Sequence, residues 1–312
     1  MNGEVLYAIV GPTAAGKTRV AFELARMIGG EIISVDSRQI YRYMDVGTDK
    51  ISQADRRVVP HHLIDAADPD EIFTAADFVA HATDAARRVA LRGRAPILAG
   101  GTPMYYRALE GKLLSGALPS DENVRAELAC ELEAKGSPAM HAELAALDPE
   151  AAGRIHPNDA YRVTRALELR RLTGKRASEL YAERGKIGGM TVRYFGVNAP
   201  RDFLYRKIES RAARQFENGY PEEVEWLLSR GYSKGLPSMR GFGYRELVLF
   251  HEGAMTLDEA LQSDIRATKA FSRRQMTWFK QFSPILWYDS SQSVSDDLAA
   301  DMAEKILNGV VG

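Results

Sequence analysis

One eight-residue stretch limits the folds open to this chain more than any other. Residues 11–18 read GPTAAGKT and fit the pattern G-x-x-x-x-G-K-[ST] in full. A short apolar run at residues 5–10 precedes the stretch, and a helical pattern follows at residues 17–28. This is the strand–loop–helix context that the pattern requires. The sequence therefore predicts a phosphate-binding loop between a buried strand and a helix.

The physics of such a loop explains its composition. Gly11 and Gly16 let the backbone curl so that successive N–H groups point inward, and the helix N-terminus adds partial positive charge. Lys17 supplies a full charge, and Thr18 is the predicted metal ligand for Mg²⁺. The loop by itself leaves its ligand open, because ATP and a diphosphate ester fit equally well. All eight residues are predicted to bind the diphosphate or substrate: Gly11, Pro12, Thr13, Ala14, Ala15, Gly16, Lys17 and Thr18.

Strand patterns alternate with helical patterns in the first hundred residues. After the first strand, further strands are predicted at residues 31–36 and 95–99, with a helix between them at 74–92. The alternation predicts a parallel sheet flanked by helices, as in P-loop NTPases, with ligands at the carboxyl ends of the strands. Asp36 and Thr102 fall at those ends, so we expect both beside the loop.

The composition and the hydrophobic pattern of the sequence change near residue 115. Helical patterns rich in Ala, Glu and Leu follow, and no clear strand appears until residues 191–199. We therefore predict an α/β core formed by residues 1–115 and 191–312, including C-terminal helices, and a helical insertion at residues 116–190.

The amino-acid composition limits which partners the chain can bind and in which cellular compartment it is expected. Lys plus Arg number 41 and Asp plus Glu number 42, so any nucleic-acid surface must be a local basic patch. The single cysteine, Cys130, cannot form an internal disulfide or a zinc cluster, and its helical context predicts a buried thiol. No stretch approaches the roughly 20 apolar residues of a membrane helix, and no signal peptide is evident. We expect a cytoplasmic monomer with no membrane contact.

Two interpretations of Asp36 stay open at the level of the residues. An acid at the end of an apolar strand can hold Mg²⁺. Ser37, Arg38 and Gln39 follow it directly, however, and a metal site has no need of them. Arg and Gln carry forked donors and acceptors able to recognise a base edge. Asp36 is therefore also a candidate to act on a nucleophile beside the phosphates.

Six motifs occur in an order that points to one family. They read GPTAAGKT, DSRQIY, GGTPMYYRAL, HPNDAYRVTRALEL with a following TGK, RGFGYREL and RRQMTWF. Together they resemble the tRNA dimethylallyltransferase family over about residues 5–285. The departures are small: Ala15 stands where the family often has Ser, Pro103 where Gly is common, and RGFGY where Ala-Ile-Gly-Tyr is usual. None of them removes a group that the chemistry needs.

The resemblance implies a reaction and a set of catalytic residues. It implies transfer of a dimethylallyl group from dimethylallyl diphosphate to N6 of the adenosine just 3′ of the anticodon in tRNA, with release of diphosphate. Asp36 is then the expected general base. By similarity, Thr102 and Arg211 point at the diphosphate, with Mg²⁺ as the cofactor.

The same resemblance implies a surface for the tRNA anticodon stem-loop. Arg162 and Arg165 lie one helical turn apart and face the same way, after a helix start capped by Asn158 or Asp159. Further basic residues repeat at helical spacing in 264–282. The predicted tRNA-binding residues are Ser37, Arg38, Gln39, Tyr161, Arg162, Arg165, Arg240, Tyr244, Arg245, Arg273, Arg274, Gln275 and Lys280.

Two other classes of function remain open from the residues. A P-loop kinase, or an isopentenyltransferase acting on a free adenine nucleotide, would explain the loop and its surroundings. That class leaves the helical insertion and the basic helices without a purpose. The other class is a non-enzymatic module that binds RNA, which only a turnover measurement separates from the enzyme.

Overall fold

A computed structural model of the protein describes residues 5–112, 119–183 and 189–309. The chain forms two compact units. Met1–Glu110 and Met190–Gly312 form the first, called the α/β unit below, and Gly111–Gly189 form the second, the helical unit. The insertion was predicted at 116–190, and the start of that range lies outside the described residues.

The α/β unit is built on a parallel sheet. In chain order the strands of the described residues are β1 Val5–Val10, β2 Gly30–Ser34, β3 His61–His62, β4 Ala95–Ala99, β5 Thr191–Asn198 and β6 Ile285–Asp289. Their spatial order is β3-β2-β4-β1-β5-β6, and every neighbouring pair is parallel. The predicted fold class is therefore confirmed. The second strand ends at Ser34 rather than at Asp36, so Asp36 lies in the turn that follows it.

Four helices accompany the first half of this sheet. They are α1 Lys17–Ile28, α2 Gln53–Val58, α3 Ala75–Leu91 and α4 Pro103–Leu109. Thr74 caps α3 reciprocally: Thr74 accepts from the Asp77 N–H while the Asp77 carboxylate accepts from the Thr74 N–H.

The helical unit has its own core. Its helices are α5 Glu122–Lys135, α6 Ser137–Leu147, α7 Pro149–Arg154, α8 Ala160–Thr173 and α9 Ala177–Glu183. Apolar side chains from all five form one buried cluster that includes Leu128, Met140, Val163 and Leu167. Asp159 is the N-cap of α8.

The prediction for Cys130 is wrong, because its thiol is exposed. Leu128 is the buried residue of α5. Two residues further along a helix, a side chain points about 200° away from it, on the opposite face. The Cys130 side chain therefore faces solvent.

Within the described residues, five further helices belong to the α/β unit: α10 Arg201–Glu217, α11 Tyr220–Ser229, α12 Tyr244–His251, α13 Leu257–Phe279 and α14 Ser295–Leu307. The apolar faces of α1 and α14 cover one side of the sheet through Val20, Leu24 and Met302. Edge-to-face contacts join Tyr106 to Tyr194 and Phe279. No helix in the described part of the chain is long and apolar enough to cross a membrane.

A second apolar cluster fixes the segment that follows Asp36. Ile40 and Met44 are fully buried against Val224 of α11 and Leu247 of α12. Burial of two such side chains stabilises this packing by about 3–5 kcal/mol. The turn after β2 is therefore held against helices from the C-terminal half of the chain.

Candidate active site

The carboxyl ends of the strands surround a cavity of about 830 Å³ in the α/β unit. Lys17, Asp36, Thr102 and Arg211 all line it. They come from the loop after β1, the turn after β2, the start of α4 and the middle of α10. The structure thus brings together four predicted site residues that are widely separated in the sequence.

Backbone geometry shapes the 11–18 loop for an anion. Gly11 has a φ of +144°, and a Cβ there would lie 2.0 Å from the carbonyl oxygen of Val197. Gly16 adopts the left-handed conformation at the N-cap of α1 and contributes no side-chain cap. The first N–H groups of α1 are therefore left to bind a ligand at the positive end of the helix dipole.

Lys17 is held inside the curve of the loop. Its Nζ donates to the carbonyl oxygen of Pro12 at 2.7 Å. Burial lowers the pKa of Lys17 to about 8; the nearby Asp36 carboxylate opposes this shift, and the Arg211 guanidinium adds to it. A ligand with negative charge would favour the protonated form and raise this pKa again.

Asp36 is oriented by its own turn. Its Oδ1 accepts from the backbone N–H groups of Arg38, at 2.8 Å, and Gln39, at 3.3 Å. Such Asx turns are typical of acids that follow a strand. Within the described residues no donor bonds to Oδ2, so this oxygen is available to a ligand in the cavity.

Thr102 stands at the N-cap position of α4, followed by Pro103, but its side chain does not cap the helix. Instead Oγ1 accepts from the N–H of Ser37 at 3.1 Å. This bond ties the start of α4 to the residue next to Asp36. The hydroxyl hydrogen of Thr102 is left to donate into the cavity.

Arg211 reaches the 11–18 loop from α10. Its Nη2 donates to Oγ1 of Thr13 at 2.9 Å, and its Nη1 lies 3.3 Å from Oδ2 of Asp49. Asp49 also lines the cavity. Asp49 was not among the predicted site residues, since no motif in DVGTDK marks it.

Gln275 links two edges of the cavity. Its Oε1 accepts from the N–H of Thr13 at 2.8 Å, and its Nε2 donates to the carbonyl oxygen of Gly101 at 2.6 Å. The side chain is only 4% exposed, and a Cβ on Gly101 would lie 2.3 Å from Nε2. In this structure Gln275 thus positions the loop and the residue before Thr102. Its predicted contact with tRNA stays a prediction.

The other predicted tRNA residues of the α/β unit differ in their surroundings. Arg38 donates to the carbonyl oxygens of Pro237 and Ser238, and Tyr244 is buried with its hydroxyl on Glu223. Ser37 and Gln39 line the cavity. The remaining predicted residues are exposed: Arg240, Arg245, Arg273, Arg274 and Lys280.

In the helical unit, the three predicted residues lie on α8. Tyr161 is 79% exposed. Arg162 is exposed beside Asp159, whereas Arg165 is mostly covered and bonds Glu168 and the carbonyl oxygen of Pro119. Although the two arginines are one turn apart, Arg162 is the more available to a partner.

The donor set of the cavity suits Mg²⁺. Among the described residues no group of three His, Cys, Asp or Glu side chains could hold a metal by itself. Mg²⁺ commonly binds through one or two protein oxygens, substrate phosphates and water. The Thr18 hydroxyl lines the cavity and is an oxygen ligand of this kind, which phosphate oxygens and water would complete.

The fold and the cavity together define a class. A parallel sheet, a glycine-containing loop at its carboxyl edge and cationic side chains around one cavity are the features of P-loop NTPase-like proteins that hold phosphate-bearing ligands. The carboxylate of Asp36 beside this anion site adds a group that can take up a proton.

Comparison with known proteins identifies the family. The sequence profile described as IPP transferase matches residues 39–282, and the chain belongs to this family. The tRNA dimethylallyltransferase of Thermomicrobium roseum is 45% identical over 286 residues, which cover 91% of this chain and 86% of that protein. The tRNA dimethylallyltransferase of Geobacter metallireducens is 44% identical over 286 residues, 91% of this chain and 92% of its own length.

A solved structure agrees with this assignment. The full-length tRNA isopentenylpyrophosphate transferase of Bacillus halodurans matches with a TM-score of 0.72 and 37% sequence identity, covering 98% of this chain and 96% of that chain. The family resemblance deduced from the six motifs is therefore confirmed.

Proposed function

We propose that this protein transfers a dimethylallyl group from dimethylallyl diphosphate to N6 of the adenosine 3′-adjacent to the anticodon in tRNA, releasing diphosphate. One observation carries the proposal: a single cavity joins the 11–18 loop, with Lys17 and Arg211, to the carboxylate of Asp36. The relatives named tRNA dimethylallyltransferase support the same reaction. They do not favour the alternative of a kinase or a transferase acting on a free adenine nucleotide.

The cationic half of the cavity binds the leaving group. As the bond between C1 of the dimethylallyl group and the diphosphate oxygen breaks, both bonding electrons go to the oxygen. The loop N–H groups, Lys17 and Arg211 stabilise that charge, and the Thr102 hydroxyl donates a hydrogen bond to it. Mg²⁺, held by Thr18 and the phosphate oxygens, would supply further neutralisation when bound.

The carboxylate half activates the acceptor. The lone pair on N6 of adenosine forms the new bond to C1, and N6 then loses one proton. Asp36 accepts it through Oδ2, while the backbone N–H groups on Oδ1 keep the carboxylate oriented. Atoms and charge balance, because one proton leaves N6 for each diphosphate released.

The acceptor must leave the stacked anticodon loop to reach this cavity. Extruding a base costs a few kcal/mol, which contacts inside the cavity must offset. Ser37 and Gln39 line the cavity beside Asp36 and are suited to contact the base edge. The exposed arginines and lysine of the α/β unit, and Tyr161, Arg162 and Arg165 of α8, are suited to contact the RNA backbone. The enzyme acts as a cytoplasmic monomer in this proposal.

Transfer of radiolabel tests the proposal. The protein is incubated with unmodified tRNA, Mg²⁺ and dimethylallyl diphosphate labelled in the dimethylallyl group. We expect label on the tRNA, and none when the adenosine beside the anticodon is replaced by guanosine or when Mg²⁺ is chelated. Label on free adenine nucleotide at comparable efficiency, or ATP turnover without transfer, would favour the alternative.

A further inference from the structure

An acidic side chain stands where the proposed diphosphate site should be purely cationic. Oδ2 of Asp49 lies 3.3 Å from Nη1 of Arg211, and Oδ1 lies 4.0 Å from Arg214. Asp49 lines the same cavity as Lys17. A diphosphate that enters the cavity therefore lies near both Arg211, which should bind it, and Asp49, with which Arg211 is already paired.

The backbone holds Asp49 in this place. Its φ is +54°, a left-handed conformation that side chains other than Gly, Asn and Asp seldom adopt. Its N–H donates to the carbonyl oxygen of Val46 at 3.1 Å, and its own carbonyl oxygen accepts from Gln39 at 3.3 Å. Persistent conformations of this kind need support from their surroundings and cluster at functional sites.

Glu223 supplies that support from α11. Its carboxylate accepts from the N–H groups of Asp45 and Val46, both at 2.7 Å, and from that of Gly47 at 3.2 Å. Tyr244 donates to the same carboxylate at 2.7 Å. The residues just before Asp49 are thus fixed, so the Asp49 carboxylate is aimed at Arg211 by a rigid turn.

We propose that Asp49 is the internal counter-ion that Arg211 exchanges for diphosphate, so that it weakens donor binding and speeds release of the diphosphate product. This inference rests on the proposed function of the cavity. Arg211 cannot turn its full donor set to a phosphate while Nη1 faces Asp49, and a phosphate close to Arg211 is repelled by the Asp49 carboxylate.

The solvent exposure of the Arg211–Asp49 ion pair indicates whether Asp49 weakens or strengthens diphosphate binding. The side chains of Arg211 and Asp49 are 22% and 46% exposed, and ion pairs this open contribute little to holding a geometry. Repulsion between a carboxylate and a ligand carrying several negative charges is the larger effect. Removing the charge of Asp49 should therefore tighten diphosphate binding.

The test is the D49N variant, because Asn keeps the shape of Asp and tolerates the left-handed backbone. Calorimetry with inorganic diphosphate and Mg²⁺ should give a Kd about three- to tenfold lower than that of the wild type, with a smaller difference at high salt. Multiple-turnover transfer should slow relative to single-turnover transfer, since product release becomes limiting.

The matched control is D45N. Asp45 belongs to the same turn, but its carboxylate pairs with Lys50 rather than Arg211. D45N should bind diphosphate as the wild type does. An unchanged or weaker affinity in D49N would overturn the proposal and make Asp49 a residue that positions Arg211. If the wild type binds diphosphate but transfers no label to tRNA, the proposed function fails instead, and the D49N affinity still decides the role of Asp49.

Discussion

At the scale of single residues, the cavity is built from charges that depend on one another. Lys17 sits between a carboxylate that favours its protonated form and a guanidinium that opposes it, and burial lowers its pKa to about 8. A lysine with such a pKa is poised to change charge in mildly alkaline solution. Binding of the diphosphate and protonation of Lys17 are therefore coupled.

This linkage predicts a pH dependence of donor binding. Protonated Lys17 attracts the diphosphate, so the Kd of dimethylallyl diphosphate should rise above pH 8, by up to about tenfold per pH unit. The donor's own last phosphate proton has a pKa of about 6 and does not titrate in this window. Calorimetry between pH 7 and 9.5 measures the effect.

The control for this prediction is K17R. Arginine stays protonated throughout the same pH range, so the variant should show a flat profile whatever its absolute affinity. Parallel profiles for the wild type and K17R would mean that another group causes the pH dependence.

Site residues that belong to a motif with known chemistry could be predicted from the sequence. Residues whose role depends only on where the fold places them could not. The pattern G-x-x-x-x-G-K-[ST] pointed to Lys17 and Thr18 because each part has a physical role at a fixed spacing. Asp49 carries no such pattern, since its importance comes from a turn held by α11. Gln275 did leave a signal: it lies on the buried face of α13 with Thr268, Ser272 and Phe279. A polar residue on such a face must bond inside the protein.

At the scale of elements, the parallel sheet explains why distant residues meet. β1, β2 and β4 are neighbours, so the residues that follow them share one edge of the sheet. This much followed from the alternation of strand and helix patterns. The alternation did not predict how α11 and α13 hold the loops, because that depends on long-range packing of the C-terminal helices against them.

Helix α8 carries a testable part of the proposed tRNA surface. Arg162 is exposed on it, whereas Arg165 is committed to Glu168. We expect R162A to weaken tRNA binding severalfold and to reduce the slope of log K against log salt by about 0.7 to 0.9. Filter binding across a range of salt concentrations measures both.

A matched control exists in the same unit. Arg154 of α7 is exposed and pairs with Glu150 one turn away, as a solvated helix residue would. R154A should leave tRNA affinity and its salt slope unchanged. Equal effects of R162A and R154A would show that the change reflects total charge rather than a contact made by α8.

At the scale of the whole molecule, the family and the fold were both predictable from the order of six motifs. Each motif can be recognised because its chemical role requires particular residue types at a fixed spacing. The motifs also span nearly the whole chain. The exposure of Cys130 was not predictable from helical context alone, because the two faces of α5 differ by a single buried leucine. The predicted catalytic residues Asp36, Thr102 and Arg211 all belong to the α/β unit, and the predicted tRNA-binding residues Tyr161, Arg162 and Arg165 belong to the helical unit.

In the proposed reaction, Asp36 takes the proton from the acceptor beside a diphosphate that the 11–18 loop holds. The measurement that tests it most directly is single-turnover transfer of labelled dimethylallyl to tRNA by D36N, together with the affinity of D36N for the donor. We expect transfer to fall by about 10²- to 10⁴-fold while donor affinity stays within about threefold of the wild type. Transfer close to that of the wild type would contradict it, as would a collapse of donor affinity, which would make Asp36 a ligand of the metal instead.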